Sequence, residues 1–389
     1  YISYAFFIHP NIDHLHMDPQ RLQDLKIAYP NFQHFFSVIG NWSSSLFYLF
    51  AELWGATIIS LLFWQLANEI TRVQEARRFY TMFGLLGHFA LMAAGKLGNL
   101  LCDIRHTAVS AQDGWSYFIN YNILAISISG CVVMALYWWM NRYVLTDQKY
   151  YDECDKISSK KSIKTKLTLA ETVKDISQSK YLGYILLMVV GYGLAMNLSG
   201  ILWKKQVQLL YPNPLDYANF LSEFVWWVGL ITITLIFCLK GMVERFGWYR
   251  AAMVTPFIVA FTVVPFFIFM FFQAELSPLC SWTGCTALTL AVTIGGAQQI
   301  LSKSGKYSMF DPTKEMAYIP LDPELKSKGK AAVDVSGYSF AKASGGYIAG
   351  GLLIVTAASD LMVIAPYLAA IVISVLIFWS LYHASVAFN

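Results

Sequence analysis

The sequence predicts an all-α, polytopic membrane helix bundle, and three observations predict it. Of its 389 residues, 57% are hydrophobic and only 13% are charged, about half the charged share of an ordinary soluble domain. The mean hydropathy is +0.49. The apolar residues are also gathered into runs that approach the ~20 residues a helix needs to cross a hydrocarbon core of ~30 Å. This composition argues against a soluble enzyme, a nucleic-acid binder and a disordered chain. The formal net charge of +4 implies no partner by itself.

In chain order, residues 1–8 read as the end of one span. Further runs fall at 44–66, 79–101, 115–140, 181–202, 223–240, 251–273, 285–301 and 361–386, with a small-residue run at 331–357. Aromatic residues mark several ends, as with Trp115 and Tyr117, Tyr137 to Trp139, and Trp226 with Trp227. Amphipathic rings favour the headgroup layer.

Between the runs, the basic residues fall on alternate sides. If 141–180 is cytoplasmic, alternation puts 67–78, 240–250 and 302–330 on the same side. These four segments hold 21 Lys and Arg, against five (Arg21, Lys26, Arg105, Lys204, Lys205) in the opposite loops, with Lys96 and Lys342 inside spans. That asymmetry follows the positive-inside rule and fixes an orientation. The expected organisation is the remainder of an N-terminal helix bundle at 1–140, a charged cytoplasmic linker at 141–180 and a C-terminal bundle at 181–389. Within the linker, KISSKKSIKTK at 156–166 reads as a solvated stretch, the alternative being a lipid- or nucleic-acid-binding segment. No internal repeat is visible, and inverted repeats in transporters leave little trace in sequence.

The six cysteines, at 102, 131, 154, 238, 280 and 285, form no CxxC and lie at no metal-ligand spacing from histidines. They read as buried small apolar residues, and Cys280 and Cys285 would bridge only on an oxidising side. No metal and no cofactor are expected. The chain opens on YISYAFFI without Met or a signal-peptide pattern and so reads as starting partway through a longer protein.

Ionisable residues inside apolar runs cost at least a few kcal/mol near the bilayer centre, so they usually face a wet cavity or a partner. Glu52 lies in SSLFYLFAELWGATIISLLFW; a cavity-lining acid is the functional reading and a carboxylate bonded to a neighbouring helix the plainer one. His88 and Lys96 are eight residues apart, about 2.2 turns, and so share a face. Snorkelling is the alternative for Lys96, and simple packing the alternative to a proton relay for His88. The most polar stretch, 298–346, carries Lys303, Lys306, Lys314 and Lys342 among Asp311, Glu315 and Asp334, and is broken by Pro312, Pro320 and Pro323. Asp334 and Lys342 again share a face. Ala341, Ala343, Ser344, Gly345 and Gly346 permit close helix approach. A wet, cation-rich path for a polyanion fits this pattern, as does a cytoplasmic loop. HLHMD at 14–18 and GYG at 191–193 are weak signals, and there is neither a GxxxxGK[ST] loop nor a nucleophile elbow, so no enzyme is expected.

Three blocks carry a resemblance. SKSGKYSMFDP at 302–312 runs into FDPTKEMAYIPLD at 310–322 and KGKAAVDV at 328–335; AELWGATIISLLFWQLANEIT occupies 51–71; LYPNPLDY occupies 210–217. Together they resemble the non-mitochondrial ATP/ADP translocase family, the nucleotide transporters of plastids and energy-parasitic intracellular bacteria. The resemblance covers essentially the whole chain. It implies a two-bundle, major-facilitator-like transporter of twelve helices working by alternating access, of which about nine and part of another are present here. It also implies a multi-pass protein of the inner membrane of an intracellular bacterium. Glu52 and Lys342 match charged intramembrane positions important for transport, and Lys96 falls where relatives place a basic residue. One position departs: relatives that exchange ATP for ADP typically read NLVE before a WK-type pair, whereas residues 197–204 read NLSGILWK. Gly200 thus stands in place of that glutamate, and AKASGG replaces a GKSGG pattern.

A nucleoside triphosphate demands fixed cations for its phosphates and an apolar or aromatic slot for its base. The expected phosphate ligands are Lys96 and Lys342 with Lys303 or Lys306. Asn99, Asn122 and Asn197 are weaker candidates for the base. Glu52 is expected to pair with a lysine in the empty state, and Asp311, Lys314, Glu315, Asp334 and His88 to serve gating or coupling. Three functional readings stand: a nucleotide transporter driven by protons or by broad exchange, a strict ATP/ADP antiporter (disfavoured by Gly200), and a receptor that binds nucleotide without moving it. The expected partners are the nucleotide, protons as coupling ion and the lipid bilayer, with no nucleic acid, and the expected state is a monomer.

Overall fold

The structure, a computed structural model, describes all residues except 72, 104–110, 147–178, 240, 277, 279–283, 320–332, 334–336 and 389. Among the described residues every regular element is helical, which satisfies backbone groups within each segment, as lipid requires. Helices α1 (Pro19–Ala28) and α2 (Gln33–Gly40) are short. Helix α3 (Trp42–Gly55) continues through π-helical turns at Ala56–Phe63 into Trp64–Ile70. Then come α4 (Val73–Asp103), α5 (Ala111–Trp139), α6 (Lys180–Leu210), α7 (Pro214–Cys238) and α8 (Trp248–Phe271). The last are α9 (Ala287–Gly305), which passes through a π turn at Lys306–Phe310 into Asp311–Ala317, then α10 (Tyr338–Thr356) and α11 (Leu361–Phe388).

Local chemistry sets several starts. Asn213 Oδ1 accepts the Leu215 N–H at 3.0 Å with Pro214 behind it, and Thr286 Oγ1 accepts the Thr289 N–H at 3.1 Å. Each cap satisfies a donor that the first turn leaves open.

Among the described residues six helices are long and apolar enough to cross a membrane: Met82–Asp103, Gly114–Val144, Lys180–Leu210, Pro214–Cys238, Trp248–Phe271 and Leu361–Ser380. The protein is an all-α, integral, multi-pass membrane protein. The sequence predicts further spans. The 44–66 run forms the helix Trp42–Gly55, continued by π-helical turns at Ala56–Phe63 into Trp64–Ile70. The 285–301 run forms α9, whose inner face is polar at Gln298, Gln299 and Ser302. The small-residue run yields the shorter apolar helix Phe340–Thr356. The cysteines also depart from expectation. Cys102 is buried, but Cys131, Cys238 and Cys285 are exposed free thiols; Cys131 and Cys238 lie on α5 and α7, where a membrane helix turns apolar residues outward as well as inward, and Cys285 lies on the bend before α9. A bridge from Cys285 is not formed; Cys280 lies outside the described residues, as does Cys154.

The chain divides into two units. The first holds α1 to α3, α5 and most of α4; the second holds α6 to α11 together with the stretch His88–Lys96 of α4. In the first unit Tyr4, Ala5 and Ile123 form a small core, with the Tyr4 and Phe47 rings stacked at 4.2 Å.

The second unit is built around α6, which packs on α9, α10 and α11. Side-by-side pairs fix the directions. Gly193 faces Ala341 and Asn197 faces Gly345, so α6 and α10 run parallel in step; a Cβ on Gly193 would come within 2.6 Å of the Ala341 Cβ. Helix α9 runs the other way: the Tyr192 hydroxyl donates to Ser302 O at 3.4 Å, and Trp203 Nε1 donates to Val292 O at 3.0 Å. Tyr192, Phe310 and Trp379 close the core at one end, with ring centroids 5.3 to 5.8 Å apart. At the other end Lys205 Nζ lies 3.3 Å from Asp360 Oδ1.

Candidate functional site: a lysine cluster in the second unit

In the second unit Lys303 lies within electrostatic reach of two lysines on other helices. Lys303 rises from the last turn of α9, half-buried, and the charges of Lys204 on α6 and Lys342 on α10 both lie close enough to repel its ammonium. Lys204 and Lys342 are exposed. Among the described residues no carboxylate pairs with Lys303 or Lys204. Lys303 Nζ instead sits 4.8 Å from the centre of the Phe224 ring. Clustered like charge is costly in an empty protein, and it is stabilised when an anion arrives.

The parallel step of α6 and α10 sets Lys342 level with residue 194 of α6, ten residues and ~15 Å of helical rise before Lys204, so the two lysines act on Lys303 from different levels. Lys342 follows Ala341, which packs on Gly193. On α6, Asn197, Gly200 and Lys204 recur at intervals of three and four and so line one stripe. Asn197 Oδ1 is buried and accepts no hydrogen bond among the described residues, and it lies where a Cβ on Gly345 would come within 2.5 Å. Gly200 leaves ordinary contact space before Gln299, whose amide oxygen is 3.6 Å from the position of an added Cβ.

Behind the stripe is a buried polar layer. Gln299 Nε2 donates to Ser199 Oγ at 3.1 Å and to Gln298 Oε1 at 2.8 Å; Gln298 Nε2 lies 3.4 Å from Ser302 Oγ. These side chains are satisfied and buried, so they fix the register of α6 on α9.

Aromatic residues frame the cluster. Trp203, only 1% exposed, packs on Phe224 with centroids 4.7 Å apart. Phe220 links Trp203 to Tyr211, whose ring it stacks at 5.1 Å. Gly295 makes room for the indole: a Cβ there would lie 2.5 Å from Trp203 Cδ1.

The remaining sequence candidates fall elsewhere. Lys306 Nζ is 2.9 Å from Asp311 Oδ2 and 4.7 Å from the centre of the Tyr307 ring, which ties it to its own π turn. Lys314 and Glu315 are neighbours at a loose 3.9 Å. Their segment is clamped by Trp248 Nε1 donating to Thr313 O at 2.9 Å and the Tyr181 hydroxyl donating to Ala317 O at 2.8 Å. The His88 ring lies 5.2 Å from Tyr307. Lys96 is exposed, and its neighbour Gly95 abuts the α7 backbone. Glu52, in the first unit, accepts from the Tyr48 hydroxyl at 3.3 Å. Asn122 Nδ2 donates to Phe118 O at 2.8 Å, a bond within its own helix, while Asn99 Oδ1 is buried without an acceptor role among the described residues. Asp334 lies outside the described residues. Among those residues no group of three or more His, Cys, Asp or Glu is placed to hold a metal.

Sequence reasoning missed Lys204, Phe224, Trp203 and the glutamine pair. Lys204 falls just past the apolar run and counts as a loop lysine there. The available signal was its seven-residue distance from Asn197, about two turns.

The family description "TLC ATP/ADP transporter" matches residues 1–388. The chain belongs to this family. It is a family of transporters, not of enzymes. The chain is 38% identical over 384 residues to ADP,ATP carrier protein 1 of Chlamydia pneumoniae, covering 97% of this chain and 74% of that relative. It is 40% identical over 380 residues to ADP,ATP carrier protein 1 of Rickettsia bellii, with 97% and 74% covered. With ADP,ATP carrier protein 3 of Rickettsia conorii it shares 36% over 390 residues, 98% of this chain and 77% of the relative. The chain thus spans about three-quarters of these relatives, and 65% of the Chlamydia trachomatis carrier. No solved structure matches.

Proposed function

We propose that this protein moves nucleoside tri- and diphosphates of the ATP type across a membrane by alternating access, through broad exchange or proton-coupled import. One observation carries the reading: the charges of Lys204 and Lys342 both act on Lys303, and neither Lys303 nor Lys204 has a carboxylate partner among the described residues. A chain of phosphates carrying several negative charges is the complement of such a cluster, since charge-assisted hydrogen bonds to phosphate oxygens are the strong ones. The relatives' names, ADP,ATP carrier, support adenine nucleotides as substrates. Membership of a bacterial family with relatives in Chlamydia and Rickettsia supports placement in the inner membrane of an intracellular bacterium.

In this reading the phosphates enter among the three lysines, and Asn197 offers its unpaired oxygen at the same stripe. Lys96 is a further phosphate ligand and Glu52 a partner for a lysine when the site is empty. The Lys306–Asp311 segment, with Lys314, Glu315, Asp334 and His88, gates the cytoplasmic mouth. Phosphates displace lysine–lysine repulsion, so binding stabilises the occupied state relative to the empty one and couples occupancy to the change of access.

A second reading is strict ADP/ATP exchange, which Gly200 disfavours. Counterflow in proteoliposomes separates the two. Exchange of ATP for ADP moves about one net charge, worth ~2.3 kcal/mol per 100 mV, and responds to voltage. Proton-coupled import responds to a pH gradient and needs no nucleotide inside. Saturable binding without counterflow would instead mark a receptor, and intact uptake in both Lys342→Ala and Glu52→Ala would overturn the cavity itself.

A further inference from the structure

We propose that Phe224 is a positioning residue whose ring face holds the Lys303 ammonium in place as a cation facing the nucleotide's phosphates. The inference rests on the reading of the lysine cluster as a phosphate site and adds a residue which that reading does not use.

Lys303 is half-buried and is repelled by Lys204 and Lys342. A carboxylate would relieve that repulsion, but none among the described residues pairs with it. Its Nζ lies 4.8 Å from the centre of the Phe224 ring, within the ~6 Å over which a ring quadrupole attracts a cation.

A ring and a carboxylate hold an ammonium with different consequences. The carboxylate brings a negative charge that repels an incoming phosphate and competes for the same N–H donors. The ring brings no net charge and covers one side only. An ammonium has three donors, so those turned away from the ring stay available. Holding the four-carbon stem in one geometry before the ligand arrives also removes part of the ordering cost of binding.

Phe224 is itself held. It is 8% exposed and packs on Trp203 at 4.7 Å; Trp203 is fixed by its hydrogen bond to Val292 O and by the space Gly295 leaves for the indole. The chain of support runs from α9 through α6 to α7 and returns to Lys303 on α9. The ring is therefore held by packed neighbours on α6 and α9.

The test is a fluorination series at position 224 in the full-length protein, because successive fluorines drain the ring's negative face and barely change its shape. Phenylalanine, 4-fluoro-, 3,5-difluoro- and 3,4,5-trifluorophenylalanine are incorporated in turn, and labelled ATP binding is measured with thermal unfolding as the check on folding. The dissociation constant should rise stepwise, by roughly threefold to thirtyfold across the series, at unchanged unfolding temperature. In a Lys303→Met background binding should start weaker and the series should be flat. A flat series in the wild-type background, or equal slopes in both backgrounds, overturns the role of the ring while leaving the phosphate site standing. Absence of ATP binding by the wild-type protein overturns the phosphate site and this inference with it.

Discussion

Within the second unit, Gly95 on the stretch His88–Lys96 and Gly229 on α7 mark a close approach of two helices. A Cβ on Gly95 would lie 2.6 Å from Ser222 O and 2.7 Å from Trp226 N, and one on Gly229 would lie 2.6 Å from Met92 Cγ and 2.9 Å from His88 O. A carbon and a carbonyl oxygen need about 3.3 Å, so Gly95→Ala forces the helices apart by about 0.7 Å. The obstructing atoms belong to backbone, which has no rotamer through which to yield, so the cost falls in the overpacking range of about 1–3 kcal/mol. Gly87 on the same helix has nothing within 4 Å of an added Cβ, so Gly87→Ala is the matched control and gains helix propensity of up to about 1 kcal/mol. Thermal unfolding of the purified protein in lipid nanodiscs should show Gly95→Ala and Gly229→Ala destabilised and Gly87→Ala neutral or stabilised. Equal unfolding temperatures for Gly95→Ala and Gly87→Ala would refute the close approach.

Further outcomes follow from the same geometry. Gly200→Glu should fold, since ordinary contact distance separates its Cβ from Gln299; its carboxylate, four residues before Lys204, should weaken ATP binding by roughly twofold, a coupling of ~0.5 kcal/mol, read by equilibrium binding. Gly295→Ala should push the Trp203 indole off its seat and, through Phe224, weaken ATP binding alongside a loss of about 1–3 kcal/mol in stability. Asp360 supplies a pH prediction. Burial raises its carboxyl, but hydrogen bonds from the Met362 N–H and from Lys205, the Lys205 charge and the Leu361 N–H outweigh burial and hold it below the usual carboxylate range. A depressed carboxyl contributes stability above its unfolded value of about 3.9 and loses it as pH falls through the folded value. Acid unfolding curves of Asp360→Asn should therefore lack part of the wild-type fall below about pH 4, by less than about 1 kcal/mol because the pair is half in solvent.

The fold was legible wherever hydropathy alone decides it. The runs at 115–140, 181–202 and 251–273 became α5, α6 and α8 because a long apolar segment in lipid has no alternative to helix. The π turns inside 44–66 carry no sequence mark, since a π turn changes hydrogen-bond partners and not composition. Legibility of the site was uneven. Lys342 stood out because it lies in an apolar, small-residue run. Lys303 and Lys306 are three residues apart and read alike, yet one reaches Phe224 and the other folds onto Asp311, a choice made by neighbours distant in sequence. Lys204 was hidden in the same way: its relation to Lys303 depends on α6 and α9 running antiparallel, which no local pattern records.

The most direct measurement of the central claim is the dissociation constant of ATP, ADP and AMP for the wild-type protein and for Lys303→Met. If the cluster of Lys204, Lys303 and Lys342 receives the phosphates, wild-type affinity rises with each added phosphate. The Lys303→Met variant then loses roughly tenfold to a hundredfold for ATP, the worth of one charged hydrogen bond, and little for AMP. Equal losses for all three nucleotides, or no loss for any, would contradict it.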